Sequence, residues 1–274
     1  MQHEITTCLW FNNNGKEAAD FYQSVFPDFE PISENPMALN YRLMGRRFMH
    51  LNGGPGFPIN PSISFFVHLS DDQEIEKMWN QLIDGGNVMM ELNTYPWSGK
   101  YGWCSDKYGV SWQLMKSDQK GIIPSLTFSQ HNAGKAEEAM DFYSSLFPNS
   151  KSVAKSRYEK GEHDVEGYLK YSQTLLNGIP FCAMDSSMPH MFTFNEGVSF
   201  VIVLDTQEEI DLYWDTLVQG GQEGKCGWLK DKYGLSWQIV PSILPSLMNN
   251  PETAPKAVYN FMQMTKFIIK DLTV

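Results

Sequence analysis

The chain has 274 residues, 42% hydrophobic and 14% aromatic, enough for about two ordinary domains with real cores and with no disordered tract. Lys and Arg number 21 against 32 Asp and Glu, a formal charge of −11 with no basic stripe, which argues against nucleic acid and anionic membranes as partners. No apolar run reaches the length of a membrane span, and residues 1–11 lack the basic start and apolar core of a secretion signal, so the expected location is the cytoplasm.

In chain order, an apolar strand over 5–11 leads to a helix with Ala18, Phe21, Tyr22, Val25 and Phe26 on one face, the i, i+3, i+4, i+7, i+8 spacing of an amphipathic helix. Asn12, Asn13 and Asn14 stand where its N-cap belongs, Glu17 occupies the first turn, and Pro27 stops it. Three short strands follow, roughly over 29–33, 38–44 and 46–52. The pattern then restarts: a strand over 63–69, a cap at Ser70-Asp71 with Glu74 behind it, a helix bearing Ile75, Met78, Trp79, Leu82 and Ile83, and the stop Gly85-Gly86. A third start has a strand over 122–128 and a helix bearing Ala139, Phe142, Tyr143, Leu146 and Phe147, stopped by Pro148. Strands over 168–175 and 179–184 flank Asn177-Gly178, the strongest short hairpin signal in the chain. The fourth has a strand over 198–204, the cap Asp205-Thr206 with Glu208, a helix bearing Ile210, Tyr213, Trp214, Leu217 and Val218, and Gly220-Gly221. The unit β-α-β-β-β therefore occurs four times, in two halves joined by the polar stretch 116–121. A last amphipathic helix is predicted over 251–272, with Val258, Phe261, Met262, Thr265 and Ile269 on one face.

The duplication is plainest in the octapeptide from Asp106 to Gln113, which recurs almost unchanged from Asp231 to Gln238. Asp at its first position and Gly at its fourth suit a turn that re-enters a strand. On that strand Ser111, Gln113 and Met115 share one face, while Val110, Trp112 and Leu114 share the other. The first half also owns an aromatic hairpin at Tyr95-Pro96-Trp97-Ser98-Gly99 that the second lacks; a lid and interface packing are both open to it. Cys8, Cys104, Cys182 and Cys226 show no paired or metal-type spacing and read as small buried hydrophobes.

Paired modules with the words CLWFNNNGKEAADFYQSVFP, FMHLNGGP, SFVIVLDTQEEIDLYWDTLVQGG, CGWLKDKYGLSWQIVP and KAVYNFMQMTKFI resemble the PhnB-like family, labelled 3-demethylubiquinone-9 3-methyltransferase, of the vicinal oxygen chelate (glyoxalase/bleomycin-resistance) superfamily. The resemblance spans essentially the whole chain. It implies an α+β fold of tandem domains, 1–117 and 118–245, with a helical tail at 246–274. It implies that each half is a curved sheet around a cleft, the two forming an intrachain counterpart of a dimer, hence a monomer. The label itself is set aside, because a methyltransferase using S-adenosylmethionine ordinarily needs a glycine-rich turn opening a helix, and Gly53-Gly54-Pro55-Gly56 leads into Phe57-Pro58 and a strand.

Metal-dependent members of that superfamily hold the ion with four inward strand positions. Carried over, these fall at Thr7, His50, Ser64 and Gln113 in the first half and at Pro124, Ala183, Ser199 and Gln238 in the second. Neither set has a carboxylate and the one imidazole is His50, so no cofactor is expected beyond a weakly held divalent metal on His50 and Gln113. His50 stands as the catalytic candidate facing Gln113, or as a satisfied core histidine. His68, on the face of Ser64 and nearer the rim, joins Thr7, Ser64, Ser111, Gln113, Trp97, Ser199 and Gln238 as cleft candidates. His163 has metal-like neighbours in a charged turn, which reads as a solvated loop, and His3, His131 and His190 have no convincing partners. The expected partner is a small organic ligand in a metal-free cleft; the alternative is a glyoxalase-superfamily enzyme moving protons through His50 and Gln113 with a loosely bound divalent metal, and a third reading is a structural or interaction module with a filled cleft.

Overall fold

A computed structural model describes residues 4–273. The first module is β1 (Ile5–Phe11), α1 (Gly15–Val25), β2 (Phe29–Glu34), β3 (Ala38–Leu43) and β4 (Arg46–Asn52); the second is β5 (Ile63–Leu69), α2 (Asp72–Leu82), β6 (Asn87–Tyr95), β7 (Ser98–Ser105) and β8 (Ser111–Lys116). The third is β9 (Gly121–Phe128), α3 (Ala136–Leu146), β10 (Lys151–Arg157), β11 (Leu169–Leu176) and β12 (Ile179–Asp185). The fourth is β13 (Val198–Leu204), α4 (Gln207–Val218), β14 (Gln222–Glu223), β15 (Trp228–Lys230) and β16 (Ser236–Pro241). All four predicted modules are present, and the class is α+β.

Contacts divide the chain into two compact units, Cys8–Val198 and, separately, Ser199 onward with the opening residues of β1. The larger holds an eight-stranded mixed sheet in the order β10-β11-β12-β9-β5-β8-β7-β6, and a second run in the order β1-β4-β3-β2; the smaller holds β14-β15-β16-β13. In the eight-stranded sheet β5 pairs with β8 in parallel, Ser64 beside Ser111, and with β9 antiparallel, Ser64 opposite Ser125. This corrects the expectation of one sheet per half: the second module shares its sheet with the third. The reason lies in the opening strands. β5 and β9 are buried on both faces along nearly their whole length, so each must also satisfy backbone groups along both edges and belongs at the centre of a sheet.

One face of the larger unit's strands packs on helices around a core of large rings. Trp112 lies 5.1 Å from Phe26, 5.3 Å from Phe65 and 5.5 Å from Tyr22, and Phe48 continues the stack 5.4 Å from Phe65. Burying rings of this size contributes several kcal/mol each, which is why the aromatic positions fix the helix docking.

Helix starts divide into two kinds. Asp71 accepts from the Glu74 amide and Thr206 from the Glu209 amide, so both caps stand where the local sequence predicts; the reciprocal partner of Thr206 is Glu209, not the Glu208 named from the sequence. Asn14 precedes α1 but makes no side-chain cap; the Gly15 amide donates instead to Asn52 Oδ1 at 3.0 Å, from the end of β4. In the third module Asp185, at the end of β12, accepts from Gly134 at 2.8 Å and Ala136 at 3.0 Å. In both, the helix start is tied to the sheet by a residue more than thirty positions away, which no capping rule could find.

The single C-terminal helix predicted over 251–272 is two shorter ones, α6 (Ala254–Gln263) and α7 (Ile269–Thr273), preceded by a further short helix, α5 (Leu244–Asn249). Helix α6 ends where the chain turns extended, the Cys226 amide donating to Met264 O at 2.9 Å and the Gly227 amide to Thr265 O at 2.8 Å. Ala257, Phe267 and Leu272 are the buried anchors, while Met262, assigned to the inner face, is 55% exposed. A Cβ on Gly227, at φ +79°, would meet the Phe267 ring at 2.5 Å and Ile239 O at 2.6 Å. Gly227→Ala is therefore expected to destabilise by about 2 to 3 kcal/mol through strain and overpacking, measured as a shift in denaturant midpoint. A loss under about 0.5 kcal/mol would show that the tail does not brace this turn.

Candidate functional site

The recurring octapeptide is a structural device. Asp106 Oδ1 accepts from the amides of Tyr108 at 2.8 Å and Val110 at 3.1 Å, and Oδ2 accepts from Trp112 Nε1 and Tyr22 Oη, both at 2.8 Å. Burial raises its carboxyl above the ordinary range, and the four donors oppose that rise. Asp231 does the same with Tyr233, Leu235 and Trp237. The aspartates thus fix the turn and the tryptophan, which orients the next residue, Gln113 or Gln238, to the other face.

His50 lies on the helix-packed face of β4, fully buried. Its Nδ1–H donates to Gly15 O at 2.8 Å, its Nε2 accepts from the Tyr41 hydroxyl, and its ring sits 4.3 Å from Phe11. Burial drops its pKa from 6.5 to about 3, against a smaller upward pull from the Gly15 carbonyl. Both nitrogens are engaged, and His50 and Gln113 stand in different sheets, so the expected facing of these two is corrected. Thr7, four residues before Phe11 on β1, falls on the same strand face as that ring.

Opposite the helices, the eight-stranded sheet presents a different surface. Ser64, Phe66 and His68 on β5 stand beside Ser111, Gln113 and Met115 on β8, with Tyr101 and Trp103 of β7 next to them. Across β9 the same face carries Ile123 and Ser125, then Cys182 of β12 beside Ser125. Phe66, Tyr101, Ile123 and Cys182 form a buried apolar cluster, flanked by partly buried Met90, Tyr95, Trp103, Met115, Tyr171 and Met184. Gln113 lies at the centre: its Oε1 accepts from Tyr101 Oη and its Nε2 donates to Ser64 Oγ, both at 2.6 Å. Trp103 Nε1 donates to Ser111 Oγ at 2.8 Å. Burial lowers the His68 pKa, keeping it neutral, and pushes the Cys182 thiol up to about 12, so it offers no thiolate.

Of the predicted residues, then, Ser64, His68, Ser111 and Gln113 come together on one face of the eight-stranded sheet, the face that the family resemblance makes a ligand cup. Pro124 and Ala183 were placed one residue out, since Ser125 and Cys182 hold the cup face. Ser199 and Gln238 meet in the smaller unit, Gln238 Nε2 donating to Ser199 Oγ at 3.0 Å. Trp97 tops the β6–β7 hairpin, 58% exposed and stacked on Tyr95 at 5.0 Å, with Tyr95 edge-on to Tyr101 at 5.7 Å. Tyr101 and Trp103 were missed; their period-two spacing opposite Met115 and Gln113 was the signal. The stretch 53–56 runs through a turn toward β5, and the first helix after it is α2. His163 sits in an exposed turn 3.4 Å from Tyr158 Oη, and Cys8, Cys104 and Cys182 are buried as expected while Cys226 is only half-buried.

The metal that the wider superfamily implies would need donors at Ser64, Gln113, Ser125 and Cys182. One amide already committed on both atoms, two hydroxyls and a single thiol, with no imidazole or carboxylate among them, do not fit a divalent ion, which calls for three or four good ligands. Among the described residues no group of three or more His, Cys, Asp or Glu is placed to hold a metal.

The fold defined by these sheets and modules is that of the glyoxalase-type vicinal oxygen chelate proteins: it is similar to glyoxalase I from Zea mays at a TM-score of 0.61 and 10% identity, covering 87% of this chain and 92% of that one. A mutant of the same enzyme aligns over 88% of this chain and 94% of the other, at 11% identity and TM-score 0.57. The pattern describing the 3-demethylubiquinone-9 3-methyltransferase family matches residues 3–115 and again 120–240, so the chain belongs to that PhnB-like family, in a duplicated form. It is also similar to a putative 3-demethylubiquinone-9 3-methyltransferase, PhnB protein, from Bacillus cereus, at 33% identity over 41% of this chain and 98% of that one, TM-score 0.39. No curated protein matches the chain. Among the described residues no helix is long and apolar enough to cross a membrane.

Proposed function

We propose that the protein binds a small organic molecule in the cup of the eight-stranded sheet, held by aromatic and methionine side chains around Gln113, without a resident metal. The observation that carries this reading is the Tyr101–Gln113–Ser64 chain, a closed hydrogen-bonded floor beneath partly exposed Trp103, Met115 and Met184. Apolar walls with a few fixed polar groups are what small-molecule sites are made of, and methionine lets such walls adapt. Methyl transfer from S-adenosylmethionine has no support in a glycine-rich strand-to-helix turn, and proton transfer through His50 has none in the histidine's position.

Titration with the neutral fluorophore N-phenyl-1-naphthylamine, followed through the methionine methyl NMR signals, tests the reading. Saturable shifts at Met90, Met115 and Met184 are expected, with an affinity on the order of micromolar. Shifts spread over other methionines, or none, would sink it.

A further inference from the structure

Two polar groups in the cup are not accounted for by the floor's own hydrogen bonds: His68 Nδ1, on a side chain only partly buried at the rim, and the deeper Ser125 hydroxyl. Ser125 is fully buried, and its hydroxyl has no hydrogen-bond partner among the described residues. It stands on the cup face, since its register partner Ser64 points there to meet Gln113 and its other neighbour is Cys182 of the apolar cluster. Its neighbours are otherwise engaged: the Ser64 hydroxyl holds Gln113, Gln113 holds Tyr101, and the Cys182 thiol donates to Tyr171 Oη at 3.4 Å. A buried hydroxyl left unpaired is costly, so it is a group that a bound molecule can satisfy.

The rest of the face says what kind of molecule that is. Ser64, Phe66, Tyr101, Trp103, Gln113, Met115, Ile123 and Cys182 carry no charge, and burial keeps His68, at the rim, neutral. An ionised ligand would enter with no counter-charge and be poorly received. The outer layer, including Met115, Tyr171 and Met184, is only partly buried, and the flexible methionines can yield to admit a ring.

From this geometry we infer that the cup selects neutral aromatic molecules with one hydrogen-bonding oxygen, and that Ser125 is the residue that reads that oxygen. The inference rests on the binding reading above and names its ligand class. Ser125 is a specificity residue for binding, and the hydroxyl reaches the ligand once the methionine layer shifts.

Three probes of one size separate the possibilities: naphthalene, 2-naphthol and 2-naphthoate, titrated against the full chain and its Ser125→Ala variant with the methionine methyl signals as readout. The intact protein is expected to bind 2-naphthol about 5-fold tighter than naphthalene, the worth of one net hydrogen bond. It should bind 2-naphthoate at least about 10-fold more weakly than 2-naphthol, because the carboxylate is desolvated without a partner. In Ser125→Ala the advantage of 2-naphthol should fall to about 2-fold or less while naphthalene is unaffected, and the melting temperature should hold or rise by a few degrees because an orphan hydroxyl is gone. An undiminished preference for 2-naphthol in the variant, or 2-naphthoate binding best, overturns the inference while leaving the cup as a binding site. Failure of all three probes and of N-phenyl-1-naphthylamine to move Met90, Met115 and Met184 overturns the binding reading itself.

Discussion

Asp106→Ala is expected to cost about 4 kcal/mol or more, a large part of the 5 to 15 kcal/mol that holds a typical domain together. The carboxylate takes four donors from three places: two amides of its own turn, the indole of Trp112 and the phenol of Tyr22 on α1. Each buried donor left without an acceptor costs about 1 to 3 kcal/mol, and water cannot replace the carboxylate at a site 2% exposed. Asp106→Asn should cost less, about 2 kcal/mol, because one oxygen survives while the new amide faces a donor. Urea unfolding of both variants, followed by tryptophan fluorescence, gives the numbers. If Asp106→Ala lost under about 1 kcal/mol, the octapeptide would have to owe its recurrence to something other than this network. Asp231→Ala should behave similarly in the smaller unit, for Asp231 holds Trp237 in the same way.

His50→Ala is expected to cost about 3 to 4 kcal/mol at pH 7, from the cavity under α1 together with the unpaired Tyr41 hydroxyl and Gly15 carbonyl. The same residue gives the fold a pH dependence. Its folded pKa of about 3 lies below the 6.5 of the unfolded chain, so the neutral folded imidazole is fully tolerated above pH 6.5. As the pH falls below that value, the unfolded chain takes up a proton the folded one refuses, and stability drops toward the folded pKa. Between pH 7 and pH 5 this amounts to about 2 kcal/mol. Urea midpoints for the native chain and His50→Gln at pH 7, 6 and 5 isolate the contribution, since other groups cancel in the difference. An equal acid loss in the two proteins would count against a buried neutral His50. Binding of N-phenyl-1-naphthylamine should be the same in both, which separates this position from the cup.

The sequence by itself determined the four modules, because each carries an unbroken amphipathic helix between an apolar strand and a stop signal, and these are periodicities of a single local segment. It also set apart Trp112 from Gln113, since alternate residues of a strand must face opposite ways and only one of the two suits a ring-packed core. Tertiary structure alone decided which modules share a sheet. An apolar strand declares that it needs neighbours on both edges but not which strands they are, and β5 found one of its own in β9 of the other half. That choice moved Gln113 away from His50 and toward Ser125. The one-residue error at Pro124 and Ala183 has a related cause, for a strand's faces are exchanged by a register slip of one, and only cross-strand partners fix the register. Nothing local distinguishes His50 as a core residue from His50 as a base; the Gly15 carbonyl and the Tyr41 hydroxyl that occupy its nitrogens come from elsewhere in the fold.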